Sequence, residues 1–303
     1  MTQRYALGIN TGFAVNRYSE PEEWARVVGD LGLTRVQLTA DLLNPDLPGP
    51  VLRDHVRRIR RECEAVGAQV TSTFTGAFTR VNHLAHPDPA VRAHWIDWFR
   101  RFVDLTVDLG ASSMGSHFGI FTRRDDRDPG RRAERRAQNI DGWHQVAEHA
   151  ATRGLAFLSW EPMSITREQG ETLAACRQLH ADVNDGAPLP FRLCLDVDHG
   201  DLASPDPADT DPYAWLATFA ADSAFVHLKQ SKADKGGHWP FTAEHNAVGR
   251  IVPDAVVTTL AEHGAPDDLE LLLELSFRER EPVDSTVEEV LAESVAFWRG
   301  VAA

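Results

Sequence analysis

The sequence lacks the features that would place it in a membrane or in an oxidising compartment. No apolar run approaches the roughly 20 residues of a membrane span, and the N-terminus has no apolar segment of the kind that a secretory signal contains. Its three cysteines, Cys63, Cys176 and Cys194, are widely separated and match neither a zinc-binding nor a redox spacing. We therefore expect a cytoplasmic protein with reduced thiols.

Positive charge is also scarce. The chain has 31 Lys and Arg against 45 Asp and Glu, which gives a formal net charge of −14. Proteins that bind nucleic acids need a basic face to release the counterions of the phosphate backbone. This composition disfavours a nucleic-acid partner, and we expect a small-molecule ligand instead.

Short β-like runs alternate with helical patterns along all 303 residues. This alternation predicts a parallel sheet with helices on its outer face, and eight strands are the number that closes a (β/α)₈ TIM barrel. A doubly wound open sheet is the alternative, but no G-x-G-x-x-G motif follows the first strand. We expect one domain over residues 1–303. The predicted strands are Tyr5–Ile9, Thr34–Leu38, Gln69–Phe74, Ser113–Ser116, Leu155–Trp160, Phe191–Leu195, Ala224–Leu228 and Glu270–Leu275.

Local residue patterns predict one long helix and one long loop in the first half of the chain. Asp88 followed by Pro89 is typical of a helix start, and Gly110 ends the apolar periodicity that follows. The charged stretch Thr122–Arg136 is predicted to be a long loop. In a barrel, long loops after strands gather at the catalytic end.

Four consecutive strands in the second half lead into a residue that can bind a metal ion. The apolar runs end in Glu161, Asp196, His227 and Glu274. A charged group at the end of a buried strand is costly unless it is paired or bound to metal. Three carboxylates and one imidazole suit a divalent ion such as Mn²⁺, our first expectation, or Mg²⁺ or Co²⁺. An ordinary strand-end salt bridge would explain any one of them alone.

Asp196 and His199 form the most specific local motif, Asp-Val-Asp-His, at the end of the sixth strand. The chain turns outward here, so one side chain can face the metal while the other faces the substrate. Asp198 lies on the opposite side of the strand and is expected to be structural. A capping or core role for His199 stays open.

These residues resemble the xylose-isomerase-like sugar isomerase and epimerase superfamily, in particular its D-tagatose 3-epimerase branch. The resemblance rests on Glu161, Asp196-x-x-His199, His227 and Glu274 in successive strands, and it covers nearly the whole chain. Four short segments resemble those of an erythrulose-phosphate 3-epimerase type of subgroup: Trp160–Ser164, Cys194–Gly200, His227–Ser231 and Gly236–Thr242.

The resemblance implies a specific chemistry. A metal would stabilise an enediolate, and two carboxylates on opposite faces of the sugar would remove and return a proton, which inverts the carbon. By resemblance, Glu161 and Glu274 are the catalytic pair and also metal ligands. The resemblance also implies that Asp196 and His227 would complete the coordination and that His199 would hydrogen-bond the developing enediolate oxygen.

The sequence departs from the ketose-epimerase pattern at two positions. Arg167 stands where those enzymes commonly have a further Glu, and Ala233 stands where they commonly have Arg. These differences argue against a free ketohexose. Arg167, which follows a candidate helix cap at Thr166, favours an anionic substrate such as a sugar phosphate or sugar acid. Other residues that favour an anion are Lys229, Lys232, Lys235 and His238, with a plain solvated loop as the alternative for Lys232 and Lys235.

His117 follows the fourth strand and is expected to line the barrel mouth, with a structural role as the alternative. Other reactions also stay open. The same ion and barrel could serve an aldose–ketose isomerase, or an enzyme that decarboxylates a sugar acid or cleaves a C-glycoside. An endonuclease IV-like phosphodiesterase would need more histidine ligands and a basic groove, and a non-catalytic sugar-binding barrel would not need two carboxylates. A homodimer is possible for such barrels.

Overall fold

Eight parallel strands close into a barrel in the computed structural model, which describes residues 5–232 and 237–301. The strands follow one another in chain order, and the last pairs with the first. This confirms the predicted TIM barrel. The strands are β1 Ala6–Asn10, β2 Arg35–Thr39, β3 Gln69–Phe74, β4 Ser113–His117, β5 Phe157–Glu161, β6 Phe191–Asp196, β7 Ser223–Leu228 and β8 Glu270–Leu273.

Helices cover the outside of the barrel, and the helix after Asp88 begins and ends where the sequence predicts. The Asp88 carboxylate caps its helix by accepting from Ala90 N at 2.8 Å, and Gly110 ends that helix in the left-handed conformation at φ 85°. The helices are α1 Pro21–Asp30, α2 Gly49–Ala65, α3 Pro89–Leu109, α4 Arg123–Arg127, α5 Pro129–Arg153, α6 Leu173–Asn184, α7 Pro212–Phe219, α8 Ala243–Asn246, α9 Pro253–Glu262 and α10 Val287–Trp298.

The predicted long loop over Thr122–Arg136 is wrong, because most of this stretch is helical. The Thr122 hydroxyl caps α4 by accepting from Asp125 N, and Asp128 caps α5 by accepting from Gly130 N and Arg131 N. Pro129 occupies the first helical position of α5, where its missing N–H has no cost. Asp125 and Arg135 are charged but buried, so the inward face of this stretch is not marked by apolar residues alone.

The strand pairing brings the ends of the second-half strands to one level. Asp196 pairs in register with His227, and Leu228 pairs with Leu273, so that Glu274 follows directly above. Side chains alternate between the inside and the outside of the barrel along each strand. The ligand candidates therefore point to the same side as an apolar cluster made of Phe74, Cys194, Ala224, Phe225 and Leu272.

The outer core lies between the strands and the helices and is rich in large aromatic side chains. Trp24, Trp98, Trp143 and Trp298 are each no more than 2% exposed. Among the described residues, no helix combines the length and the apolar character needed to cross a bilayer.

Candidate metal centre

Four side chains from four consecutive strands meet at the carboxyl end of the barrel. Glu161, Asp196, His227 and Glu274 each offer a ligand atom, and these atoms lie within 4.8 Å of one another. Glu161 and Asp196 end β5 and β6, His227 is the penultimate residue of β7, and Glu274 follows β8. The structure thus brings together all four ligand candidates taken from the sequence.

His227 lies at the centre of this group and is fully buried. Its Nδ1 is 3.0 Å from Oε1 of Glu161 and 3.4 Å from Oε2 of Glu274. Burial alone would lower the pKa of His227, but the neighbouring Cys194 thiol and the carboxylates of Glu274 and Glu161 raise it well above 6.5. The pocket therefore favours a positive charge at this point.

Lys229 supplies such a charge. Its Nζ lies 2.7 Å from Oδ2 of Asp196 and 2.5 Å from Oε2 of Glu274, and the residue is only 2% exposed. Burial opposes the charged form, yet the two carboxylates raise the pKa of Lys229 above 10.5. Lys229 was expected to contact substrate, and the structure places it against two of the ligand candidates.

The side chains of Asp196 and His199 lie next to each other at the carboxyl end of β6. His199 Nε2 is 3.3 Å from Oδ2 of Asp196, and His199 Nδ1 donates to the carbonyl of Pro162 at 2.9 Å. Burial would raise the pKa of Asp196, but His199 and Lys229 lower it below 3.8. This carboxylate is therefore ionised at neutral pH and available as a ligand.

Asp198 has the structural position expected for it. Its carboxylate accepts from the backbone N–H groups of Gly237 and His238 at 3.3 and 3.2 Å. His238 has a positive φ of 47°, and its Nδ1 lies 3.1 Å from Lys229 Nζ. The charge of Lys229 and burial lower the pKa of His238 below 6.5.

His117 and His83 form a buried pair beside the site. Leu84 N–H donates to His83 Nδ1 at 2.7 Å, so the His83 Nε2–H group can donate to His117 Nδ1 at 3.2 Å. His117 Nε2 then donates to the carbonyl of Thr79 at 3.0 Å. Burial lowers the pKa values of both histidines. His117 lines the cavity, but both of its ring nitrogens already have partners.

Glu161 and Glu274 line a cavity of about 380 Å³, a size suited to a small molecule rather than a polymer, whereas Asp196 and His227 are not among its lining residues. Glu161, Glu274, His117, His199, Lys229 and His238 line it. Two arginines that the sequence did not single out, Arg17 and Arg80, line it as well.

Arg167 is not among the residues that line this cavity. Its Nη1 donates to the carbonyl of Phe121 at 3.0 Å, which ties it to the loop before α4. Lys232 lies with its Nζ 5.1 Å from the centre of the Trp239 ring and does not line the cavity either. Ala233 and Lys235 lie outside the described residues.

The chemistry of the four side chains fits a divalent ion. Three carboxylates and one imidazole are the ligand types that Mn²⁺, Mg²⁺ and Co²⁺ accept. Cys194 lies close enough to form a second group with Glu161 and His227, but burial raises the pKa of its thiol to about 12, so no thiolate is present at neutral pH. Both candidate groups found among residues 5–232 and 237–301 share Glu161 and His227.

Gln37, below the site, was missed by the sequence reasoning. Gln37, in β2, is fully buried, and its Oε1 lies 2.7 Å from His227 Nε2. Asn10, at the end of β1, donates to the same oxygen at 2.7 Å. A glutamine between Val36 and Leu38 in a buried strand is the signal that could have pointed to this contact.

Comparisons with known proteins find similarity over most of the chain. A family model described as "Xylose isomerase-like TIM barrel" matches residues 25–300. A protein of Brucella abortus (strain 2308) named D-erythrulose 1-phosphate 3-epimerase is 47% identical over 294 residues, which cover 96% of this chain and 94% of that protein.

Solved structures show the same architecture. A candidate xylose isomerase from Rhodospirillum rubrum ATCC 11170 has a TM-score of 0.86 at 25% identity, with 99% of this chain and 100% of that chain covered. A D-psicose 3-epimerase from Clostridium cellulolyticum H10, crystallised with D-tagatose, has a TM-score of 0.71 at 14% identity and covers 98% and 99% of the two chains. At that identity the likeness is one of fold.

Proposed function

Because the chain belongs to the xylose isomerase-like TIM barrel family, we propose that it is a metal-dependent epimerase that inverts C3 of a short ketose phosphate such as erythrulose phosphate. The observation that carries the proposal is the convergence of four side chains, of which Glu161 and Glu274 line a small cavity; the four are Glu161, Asp196, His227 and Glu274. The name of the Brucella relative supports both the reaction type and the substrate class.

The two glutamates are suited to proton transfer on opposite faces of a sugar. Glu161 ends β5 and Glu274 follows β8, so they approach the centre from different sectors of the barrel. We propose that one carboxylate removes the C3 proton and the other returns a proton to the opposite face, which inverts the carbon. A divalent ion bound by the four side chains would stabilise the enediolate charge that a carboxylate base alone could not offset.

The other cavity residues would bind and orient the substrate. His199 Nε2 lies beside Asp196, and we propose that it hydrogen-bonds the enediolate oxygen. His117, Lys229 and His238 also line the cavity and are proposed substrate contacts. The metal is proposed to be Mn²⁺, with Mg²⁺ or Co²⁺ as alternatives. The described cysteines are free and buried, which supports a cytoplasmic location.

Arg80 is the cation best placed to receive a phosphate group. Its Nε donates to Oε1 of Glu168 at 3.2 Å, and its Nη2 donates to Oε1 and Oε2 of Glu168 at 3.0 and 2.8 Å. Its Nη1 has no hydrogen-bond partner within the described residues. Arg17 also lines the cavity, but Asp284 and the carbonyl of Phe277 hold its guanidinium. We therefore assign the anion-binding role, expected for Arg167 from the sequence, to Arg80.

The test is a reaction with erythrulose 1-phosphate in D₂O. Chelator-treated protein should be inactive, and addition of Mn²⁺ should restore the formation of the C3 epimer with one solvent deuterium at C3. Formation of an aldose, loss of a carbon, or full activity without metal would each contradict the proposal.

A further inference from the structure

A chain of hydrogen bonds leads from a backbone amide to the ring of His227. The N–H of Gly12 donates to Oδ1 of Asn10 at 2.8 Å. A backbone N–H can only donate, so the amide oxygen of Asn10 must face Gly12 and its NH₂ group must face Gln37. Asn10 Nδ2 lies 2.7 Å from Gln37 Oε1, which is therefore an acceptor.

This direction decides which nitrogen of His227 carries a proton. His227 Nε2 lies 2.7 Å from the same Gln37 oxygen, so Nε2 must donate. Without a metal, Nδ1 can also carry a proton and donate it to Oε1 of Glu161 at 3.0 Å. When the ring is neutral, as metal binding requires, the Nε2 proton stays and the lone pair is on Nδ1, the nitrogen that faces Glu161 and Glu274. A histidine binds metal through a bare ring nitrogen, and a hydrogen bond from the other nitrogen selects which one.

We propose that Gln37, oriented by Asn10, is a positioning residue that holds His227 in the tautomer and ring orientation needed for metal binding through Nδ1. This inference rests on the proposed metal site, and Gln37 itself touches neither the cavity nor the ion. It is distinct from the proposed acid/base chemistry of Glu161 and Glu274.

Burial of the three side chains restricts the His227 ring to one orientation. Gln37 and His227 are fully buried and Asn10 is 2% exposed, so water does not compete for their hydrogen bonds. Gln37 Nε2 in turn donates to Ser72 Oγ at 3.3 Å, and the Phe74 ring packs edge-on against His227 with centroids 5.2 Å apart. A rotated His227 ring would leave a buried donor or acceptor without a partner.

The alternative is that Gln37 only fills the barrel interior, and isosteric variants separate the two roles. Gln37→Met keeps the volume and removes the acceptor, whereas Gln37→Glu keeps an acceptor for Asn10 and His227. Thr106→Val is the control for lost buried hydrogen bonds, because the Thr106 hydroxyl bonds to Thr73 and to the carbonyl of Phe102 on the outer side of β3.

The experiment is a Mn²⁺ titration of metal-stripped protein, with free Mn²⁺ measured by electron paramagnetic resonance. We expect Gln37→Met to bind Mn²⁺ about 10- to 100-fold more weakly than wild type, the usual effect of losing such a supporting contact. Gln37→Glu and Thr106→Val should bind as tightly as wild type. Equal affinity of Gln37→Met and wild type, or equal weakening in all three variants, would overturn the inference.

A measurement on wild type covers the case in which Gln37→Met does not fold. In Mg²⁺-loaded protein labelled with ¹⁵N-histidine, long-range ¹H–¹⁵N spectra should show the His227 proton on Nε2, and a proton on Nδ1 would overturn the inference. The two proposals fail differently. If wild type does not bind Mn²⁺, the proposed function is contradicted. If wild type and Gln37→Met bind Mn²⁺ with the same affinity, this inference alone is contradicted.

Discussion

The ammonium nitrogen of Lys229 lies 2.7 Å from Oδ2 of Asp196, inside the group of side chains proposed to bind the metal. A fixed positive charge at this point offsets part of the negative charge of Asp196 and Glu274. It also opposes a divalent cation, since unit charges 4 Å apart interact by about 4 kcal/mol at an effective dielectric constant of 20.

Lys229→Met should therefore bind Mn²⁺ at least about tenfold more tightly than wild type, because a unit of repulsion is removed from a buried site. Turnover should fall, since a proposed substrate contact is lost. Mn²⁺ titration by calorimetry checks the affinity. The matched control is Lys232→Met, whose ammonium faces Trp239 and should leave Mn²⁺ binding unchanged. Unchanged or weaker binding by Lys229→Met would contradict this account.

Glu161→Gln and Glu274→Gln should each lower turnover by about 10²- to 10⁴-fold, because a positioned acid or base is lost, while most substrate binding is retained. Residual exchange of the C3 hydrogen should be confined to one epimer, and to opposite epimers in the two variants, since one base remains in each. Nuclear magnetic resonance in D₂O follows this exchange. Glu279→Gln, which changes another cavity carboxylate, should retain most activity. Full activity in both glutamate variants refutes the acid/base assignment.

Arg80→Gln should raise KM for a phosphorylated tetrulose by roughly 10- to 100-fold, since a hydrogen bond to a charged group contributes about 1.5–3 kcal/mol. KM for the unphosphorylated sugar should change little. Steady-state kinetics with both substrates make the comparison. Arg167→Gln is the control, because Arg167 bonds to Phe121 outside the cavity. An equal rise in KM for both sugars, or a larger rise in Arg167→Gln than in Arg80→Gln, would contradict the assignment of Arg80 to the proposed anion site.

Glu270 gives a prediction about stability at the opposite end of the barrel. Burial raises the pKa of Glu270 above 4.5, although the Thr71 hydroxyl and Arg35 partly oppose this. The unfolded chain therefore loses this proton at lower pH than the folded protein, and the carboxyl destabilises the fold as the pH rises above 4.5.

Glu270→Gln should accordingly be more stable than wild type at pH 8, and the gain should shrink as the pH falls towards 4.5. The Thr71 hydroxyl, which donates to Glu270 at 2.7 Å, can donate to the glutamine oxygen instead. Urea unfolding at several pH values measures the difference. Glu64→Gln on the surface of α2 serves as the comparison. A gain that is independent of pH would rule out ionisation as its cause.

The barrel and the four ligand candidates could be predicted because each is encoded locally. Apolar runs mark the strands, and a carboxylate or imidazole at the end of such a run is placed at the barrel mouth by its own strand. The start of β5 was less well predicted: Gly154 ends α5 in the left-handed conformation and Leu155 N–H still bonds to the carbonyl of Ala150, so the strand begins at Phe157 rather than Leu155.

The supporting contacts could not be predicted, because they depend on loop paths and on strand closure. Gln37 meets His227 across 190 residues of sequence, and only the closed barrel brings them together. Arg167 was expected to bind an anion from its position after Glu161. The loop instead pairs with the segment before α4, where Phe121 N–H donates to the Arg167 carbonyl at 2.8 Å, and Arg80 takes the place at the cavity.

The most direct measurement is a crystal structure of the protein soaked with Mn²⁺ and a tetrulose phosphate, with anomalous diffraction to locate the metal. We predict one Mn²⁺ peak bounded by Glu161, Asp196, His227 Nδ1 and Glu274, with sugar oxygens in its open positions. A soaked crystal without a Mn²⁺ peak, or with the four side chains turned into separate surroundings, would contradict the account.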